Sequence, residues 1–299
     1  MKKNQRQFIE KLTERYRVTR GKDFKLKNID PGDTAHLDSE DKGEAKEALA
    51  RGVEWLAEQQ DMLYAQDHWA VLLVFQAMDA AGKDGTIKHV TSGINPQGCQ
   101  VTSYKQPSSE ELDHDFLWRY MRNVPARGQI GIFNRSYYEE LLVVKVHEEA
   151  LARQKLHPSL VTKKIWDQRY EDISNYERYL DRNGVLVLKF FLHVSKAEQK
   201  RRFMERLDQP EKNWKFSASD VAERGHWSDY QDAYEEAIKN TASKHAPWYV
   251  VPADNKWFTR LVVAAAIVEA IAGLKLQYPV ISADKRKALA EARRVLDAE

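Results

Sequence analysis

Apolar positions along the chain follow two periods, and the two alternate. Val71 to Phe75 is an unbroken apolar run between polar turns, the pattern of a strand covered on both faces. Gln129 to Phe133 and Val185 to Val194 repeat it, and Cys99 to Tyr104 and Trp248 to Ala253 are shorter versions. Between them the spacing becomes helical. Leu49, Val53, Leu56 and Leu63 predict a helix from about Asp41 to Tyr64. Ile165, Tyr170, Ile173 and Leu180 predict another, stopped by the turn Asp181-Arg182-Asn183-Gly184, and the apolar stretch from Trp257 predicts a last one. Ser108 with Glu111, and Ser195 with Glu198, have capping-box spacing at helix starts.

Strands alternating with helices predict an α/β protein: a three-layer parallel sheet with helices on both faces, in one domain over residues 41–281. The polar first 40 residues, with Gly21, Pro31 and Gly32, read as an irregular arm, and residues 282–299 as a charged helical tail. Parallel sheets bind ligands at the carboxyl ends of their strands. Three motifs fall on such ends.

The first is Gln76 to Val90, QAMDAAGKDGTIKHV. A strand, a loop of small residues, a lysine and a helix start are the parts that hold phosphate. Backbone N–H groups and the helix dipole face the anion, and the lysine adds a full charge. Against the pattern G-x-x-x-x-G-K-[ST] the loop is imperfect, with Ala77 at the first glycine and Asp84 at the Ser/Thr position. Ala81, Gly82, Lys83 and Gly85 fit close backbone approach to phosphate. Asp84 also complements the helix dipole. Thr86 and Lys88 lie further along the same helix, and Thr86 serves equally as a helix-terminal hydroxyl. Asp79 stands out, because a carboxylate beside phosphates repels them unless a metal ion or a reacting proton lies between.

The second motif, Ile132 to Glu140 (IFNRSYYEE), places Asn134 where phosphate-loop proteins carry a magnesium aspartate. An amide adds no charge there, so magnesium would need Asp79, Glu139 or Glu140. Arg135 suits an anion clamp, since its planar fork holds phosphate oxygens in pairs. The third is a basic, amphipathic stretch over about 196–220, with Arg202, Arg206 and Lys215 among its cations. It reads either as a solvated charged helix or as a lid over transferring phosphates. Phe116, Trp118 and Arg119 are candidates for a base and a phosphate, with core packing the plain alternative.

Composition narrows the chemistry. Lys plus Arg total 47 against 45 for Asp plus Glu, a net charge of +2. That argues against a nucleic-acid coat or a polybasic membrane anchor while leaving room for a local basic groove. One cysteine, Cys99, excludes an internal disulfide and fits a reducing cytoplasm. No apolar run is long enough for a signal peptide or a bilayer span. No H-E-x-x-H and no G-x-S-x-G occur. Phosphoryl transfer needs positioning, magnesium and positive charge, which is what these motifs provide.

With these segments, the INPQG turn, SYKQPSSEELDHDFLWRY, KNWKF and APWYVVPADNKWF, the chain resembles the polyphosphate kinase 2 family from about Leu49 to Tyr278. The resemblance implies a thymidylate-kinase-like phosphate-loop fold with a helical lid, assembly into dimers or tetramers, and magnesium-dependent (or manganese-dependent) phosphoryl transfer between inorganic polyphosphate and AMP, ADP or ATP. It makes Lys83 part of the phosphate loop, Asp79 the essential carboxylate, Asn134-Arg135 the second motif, and Arg202, Arg206 and Lys215 lid cations. Many members carry Asp at position 134. The N-R-S-x-Y-E form resembles the subgroup acting on nucleoside mono- and diphosphates alike, a breadth tied here to Glu139. Two other readings stand beside it: an ATP-dependent nucleoside monophosphate kinase, and a non-catalytic polyanion- or nucleotide-binding protein.

Overall fold

A computed structural model describes residues 3–38 and 40–299. Six strands form one sheet in the order β1-β6-β5-β2-β4-β3: β1 (Arg17–Val18), β2 (Ala70–Ala77), β3 (Cys99–Ser103), β4 (Ile130–Asn134), β5 (Val185–His193) and β6 (Trp248–Pro252). The pairs β3/β4, β4/β2, β2/β5 and β5/β6 are parallel, whereas the edge strand β1 runs antiparallel to β6. The sheet is therefore mixed, and the purely parallel expectation fails at that one edge.

Continuous apolar strands are needed here because both faces of the sheet are covered. Along β2, Val71, Leu73 and Phe75 enter one core, and Ala70, Leu72 and Val74 enter the other. Helices Lys42–Gln66 and Lys256–Gly273 close the first face, while Ile165–Arg182 and Trp227–Thr241 close the second. Each completely buried Val, Leu or Phe contributes about 1.5–3 kcal/mol relative to an exposed position.

The first 40 residues hold regular structure where an irregular arm was expected. Lys3–Glu14 is a helix, and Leu12 and Tyr16 are buried against the first core. Thr13 donates to Glu269, Arg17 pairs with Glu269 at 2.9 Å, and the Tyr16 hydroxyl donates to Asp33 at 2.8 Å. The large apolar residues that dock, among them Ile9, Leu12, Tyr16 and Leu26, are scattered among polar ones and keep no strict period, so the segment reads as polar. The helix expected after Ser108 also differs. Its capping box forms, but the helix ends at Leu112 and resumes only over Trp118–Met121. Asp115 takes the Leu117 N–H at 2.9 Å, a local bond that competes with helix continuation. Ala283–Leu296 is a helix of which no residue is buried.

Candidate active site

The loop from Met78 to Gly82 leaves β2 under backbone constraint. Ala80 has φ 59° and Gly82 φ 99°, both left-handed, a region that suits glycine and costs alanine energy. What holds it there is Arg202. This side chain is buried, and its Nη1 donates to the carbonyls of Ala80 at 3.0 Å and Ala81 at 2.8 Å. Nη2 donates to Ala253 and Asp254 carbonyls at 2.6 and 3.0 Å, and Nε to Glu198 at 2.7 Å. All five guanidinium N–H groups are committed. Arg202 is thus a brace beneath the loop rather than a lid cation, since no donor remains for a phosphate. Gln199 adds a second brace from the same helix, donating to the Asp79 carbonyl at 2.9 Å.

Asp79 itself stays about one-third exposed. Arg135, at the end of β4, reaches it at 3.3 Å and reaches Glu139 at 3.5 Å. Arg135 has φ 66°, a left-handed conformation uncommon for a non-glycine residue. That turn aims the guanidinium between the two carboxylates, and Glu139 is the chief cause of its raised pKa. Glu139 is fixed from below by Gln76, which donates at 2.8 Å and accepts from Ser136 at 3.2 Å. Gln76 escaped the sequence reading because a lone polar residue late in an apolar run carries no motif.

Beside this group Lys83 Nζ donates to Asn134 Oδ1, and the Asn134 amide donates to Asp84 at 2.8 Å. Burial is the largest influence on Lys83 and lowers its pKa. Arg135 lowers it further, and Asp84, Glu139 and Asp79 oppose the shift. Thr86 is buried with its hydroxyl returned to the Gly82 carbonyl at 3.1 Å, while Lys88 points to solvent. Ala81 is buried, and Gly85 lies near Arg260.

A cleft of 560 Å³ opens next to Asp79, Arg135 and Glu139, a size that suits a nucleotide-scale ligand. Its far wall includes Lys105, Leu112, Arg119, Val144, Arg153 and Gln154. Arg119 is held by Glu111 at 3.2 Å and by the Lys105 carbonyl at 3.0 Å, against the rings of Tyr104 and Tyr120. Phe116, by contrast, packs under Arg169, 3.8 Å from the ring centre. Glu140, read from sequence as a second metal ligand, is built into the wall. It is buried, accepts from Gln154 at 2.6 Å, and burial raises its pKa. Among the described residues no cluster of three or more His, Cys, Asp or Glu is arranged to hold a metal ion.

The expected lid comprises helix Lys196–Asp208, a 3-10 segment Pro210–Lys215 and helix Ala218–Glu223. Arg206 lies 3.7 Å from Asp220, which lines the cleft; burial and then the Asp79 charge raise the Asp220 pKa. The Lys215 side chain lies outside the described residues. Asp220 was missed because an acid after a capping serine reads as ordinary helix-start chemistry.

A mostly parallel sheet that gathers lysine, arginine and carboxylates at its strand ends, beside one cleft, defines an α/β protein for anionic ligands. Residues 38–279 match the profile of the family described as polyphosphate kinase 2, and the chain belongs to that family. It is 53% identical over 258 residues to the ADP-polyphosphate phosphotransferase of Rhodopseudomonas palustris, covering 86% of this chain and 89% of that one. It is 46% identical over 265 residues to the AMP/ADP-polyphosphate phosphotransferase of Meiothermus ruber, covering 89% and 95%. The crystal structure of polyphosphate kinase 2 from Arthrobacter aurescens superposes with a TM-score of 0.84 at 39% identity, over 94% of this chain and 96% of that one. Among the described residues no helix is long and apolar enough to cross a membrane.

Proposed function

We propose that this protein transfers phosphoryl groups from inorganic polyphosphate to AMP and ADP, reversibly, with Asp79, Lys83, Arg135 and Glu139 as the groups that meet the reacting phosphates. The observation that carries this reading is Arg135 held between Asp79 and Glu139 at the mouth of the cleft, with Lys83 alongside. Family membership and the names of the relatives support the donor and the acceptors.

In-line phosphoryl transfer needs two polyanions brought together and little covalent chemistry from the protein. Lys83 and Arg135 offset the charge of the approaching phosphates. Asp79, braced through its own carbonyl, presents a carboxylate that takes a proton from the attacking phosphate or orients a cation there. Magnesium suits this donor set: it commonly binds through one or two carboxylates plus substrate phosphates, and Asp79, partly exposed, offers a carboxylate oxygen beyond the one facing Arg135. When bound, it would spread the charge of the transferring group. The nucleotide fits the cleft between this end and the wall of Leu112, Val144 and Arg153, while Arg206 on the lid faces the donor chain.

The test is a donor comparison. Purified protein receives AMP or ADP with magnesium and either polyphosphate or ATP as sole donor. Polyphosphate should support ADP and ATP formation. Product with ATP alone would point to a monophosphate kinase. Binding of both substrates without product would leave a non-catalytic binder.

A further inference from the structure

A second concavity lies far from the catalytic cleft, between helices Lys3–Glu14, Lys42–Gln66 and Lys256–Gly273. It has a volume of 470 Å³. Its floor is made of small residues, among them Ala45, Ala48, Gly52, Ala264 and Ala265, and its walls include Phe8 and Trp55. Small residues side by side leave room for large side chains from another helix. Two acids, Asp41 and Glu44, stand on the rim; among the described lining residues the one base, Arg51, is engaged by Glu47 at 3.3 Å.

The same chain carries a helix that matches this groove and is not seated in it. Ala283–Leu296 follows a stretch without regular structure, residues 275–282, and buries none of its residues. Ala288, Leu289, Ala292, Val295 and Leu296 recur at helical spacing and form one apolar stripe. The helix is about 21 Å long at 1.5 Å per residue. Ala288 and Ala292 lie at the middle of the stripe and permit close approach, while Leu289, Val295 and Leu296 supply bulk for a floor of alanine and glycine. Lys285, Arg286 and Lys287 crowd the start of the helix, where positive charge opposes the macrodipole. An acidic partner surface relieves that opposition, and the rim supplies Asp41 and Glu44.

We propose that the Ala283–Leu296 helix of one copy seats in the groove of a second copy, each chain giving its helix and receiving its partner's. The exchange is closed: both apolar surfaces of both chains are covered by one twofold operation, with none left to propagate a filament. In the single chain the helix stands away from its own groove, and its stripe is left to solvent. The arrangement is independent of the catalytic reading, since no residue of the groove or the stripe lines the catalytic cleft.

The test uses the full chain. By light scattering coupled to size exclusion, the unsubstituted protein should be a dimer or a multiple of one. Leu289→Arg, at an exposed position that cannot disturb the core, and Ala48→Arg, in the groove, should each lower the assembled fraction at least tenfold at equal concentration. A Cys99→Ser background then carries Leu289→Cys on one preparation and Ala48→Cys on another. Mixed and treated with a short bismaleimide, the two should yield covalent heterodimers. A monomeric unsubstituted protein, or assembly unchanged by Leu289→Arg, overturns the proposal. So does cross-linking confined to single chains when both cysteines are placed on one polypeptide, which would show the helix folding back onto its own groove.

Discussion

Arg202 donates to the carbonyl of Ala81 at 2.8 Å, and with its four other hydrogen bonds it ties three segments together: the Asp79 loop, the end of β6 and the helix that bears it. Four residues later Arg206 faces the carboxylate of Asp220 at 3.7 Å. The two arginines occupy one face of one helix and do different work. Arg202→Met should strand four backbone carbonyls in a buried place, while Glu198 keeps Arg201, at a cost of about 3–5 kcal/mol. Thermal unfolding would register this as a large fall in Tm, with turnover lost as the loop relaxes. Arg206→Ala should lower Tm far less and raise the KM for polyphosphate. Equal effects of the two substitutions on Tm would contradict the division of roles.

Asp79 and Arg135 form an ion pair at 3.3 Å on the cleft wall, where the proposed transfer would take place. Asp79→Asn keeps the shape and removes the charge, leaving Arg135 with Glu139 as its remaining carboxylate partner. Loss of a group that acts on the reacting phosphates typically costs about 10²–10³ in kcat. The expected result is a fall of at least that size, with polyphosphate binding retained or tightened because a repelling carboxylate is gone. Rapid-quench turnover combined with a direct binding titration checks both halves. Turnover near the unsubstituted rate would remove Asp79 from the chemistry.

The strands were legible because the core demands them: Val71 to Phe75 has to be apolar at every position when both sheet faces are covered. The Ser108 and Ser195 caps were legible because their bonds are local; Ser195 does accept from the Glu198 N–H at 3.1 Å. Lys83, Asp79 and Arg135 could be found because they sit at strand ends in recognisable order. The division of roles between Arg202 and Arg206 could not. It depends on carbonyls more than 100 positions earlier in sequence, and a charge run looks alike whichever member is buried. The helix Trp227–Thr241 was also missed, although it buries Tyr234 against Phe191 with ring centres 3.8 Å apart. Its polar, charged sequence spends few large apolar residues on that contact, as with the first helix.

Lys83 gives a pH prediction with a definite sign. Burial and Arg135 lower its pKa from the ordinary lysine value, while Asp84, Glu139 and Asp79 pull the other way. A lowered lysine pKa means the ammonium is lost at less alkaline pH than for a free lysine. Activity that needs charged Lys83 should therefore decline on the alkaline side earlier than an unperturbed lysine would dictate. Asn134→Asp places a carboxylate where Lys83 now meets an amide oxygen. That limb should then move to higher pH, because an adjacent anion favours the charged lysine. A kcat/KM profile on both proteins reads the shift. Movement to lower pH, or none, would show that Lys83 does not set the limb.

The site loop is finally held by charge buried well behind it. Glu177 accepts from the hydroxyls of Tyr137 at 3.0 Å and Tyr138 at 2.8 Å, and its other oxygen takes Lys189 Nζ at 2.6 Å. Lys189 also donates to Tyr138 and to the Thr241 carbonyl, so its three N–H bonds are complete inside the core. Both ionic side chains are almost wholly buried. Such a pair adds little net stability against an apolar replacement, but removing one member strands the other. Lys189→Met should thus cost about 3–5 kcal/mol by that reasoning, whereas Tyr138→Phe, which removes one hydroxyl, should cost about 1 kcal/mol. The double substitution Lys189→Met with Glu177→Leu should recover part of the single-mutant loss, since no unpaired charge remains. Its activity is the sharper readout. If the network only stabilises the fold, recovery of Tm should restore turnover. If it also sets where Arg135 and Glu139 point, through the two tyrosines that lie between them in sequence and fix their loop, kcat should stay depressed after stability returns. The second outcome is the one the hydrogen bonds to Tyr137 and Tyr138 predict.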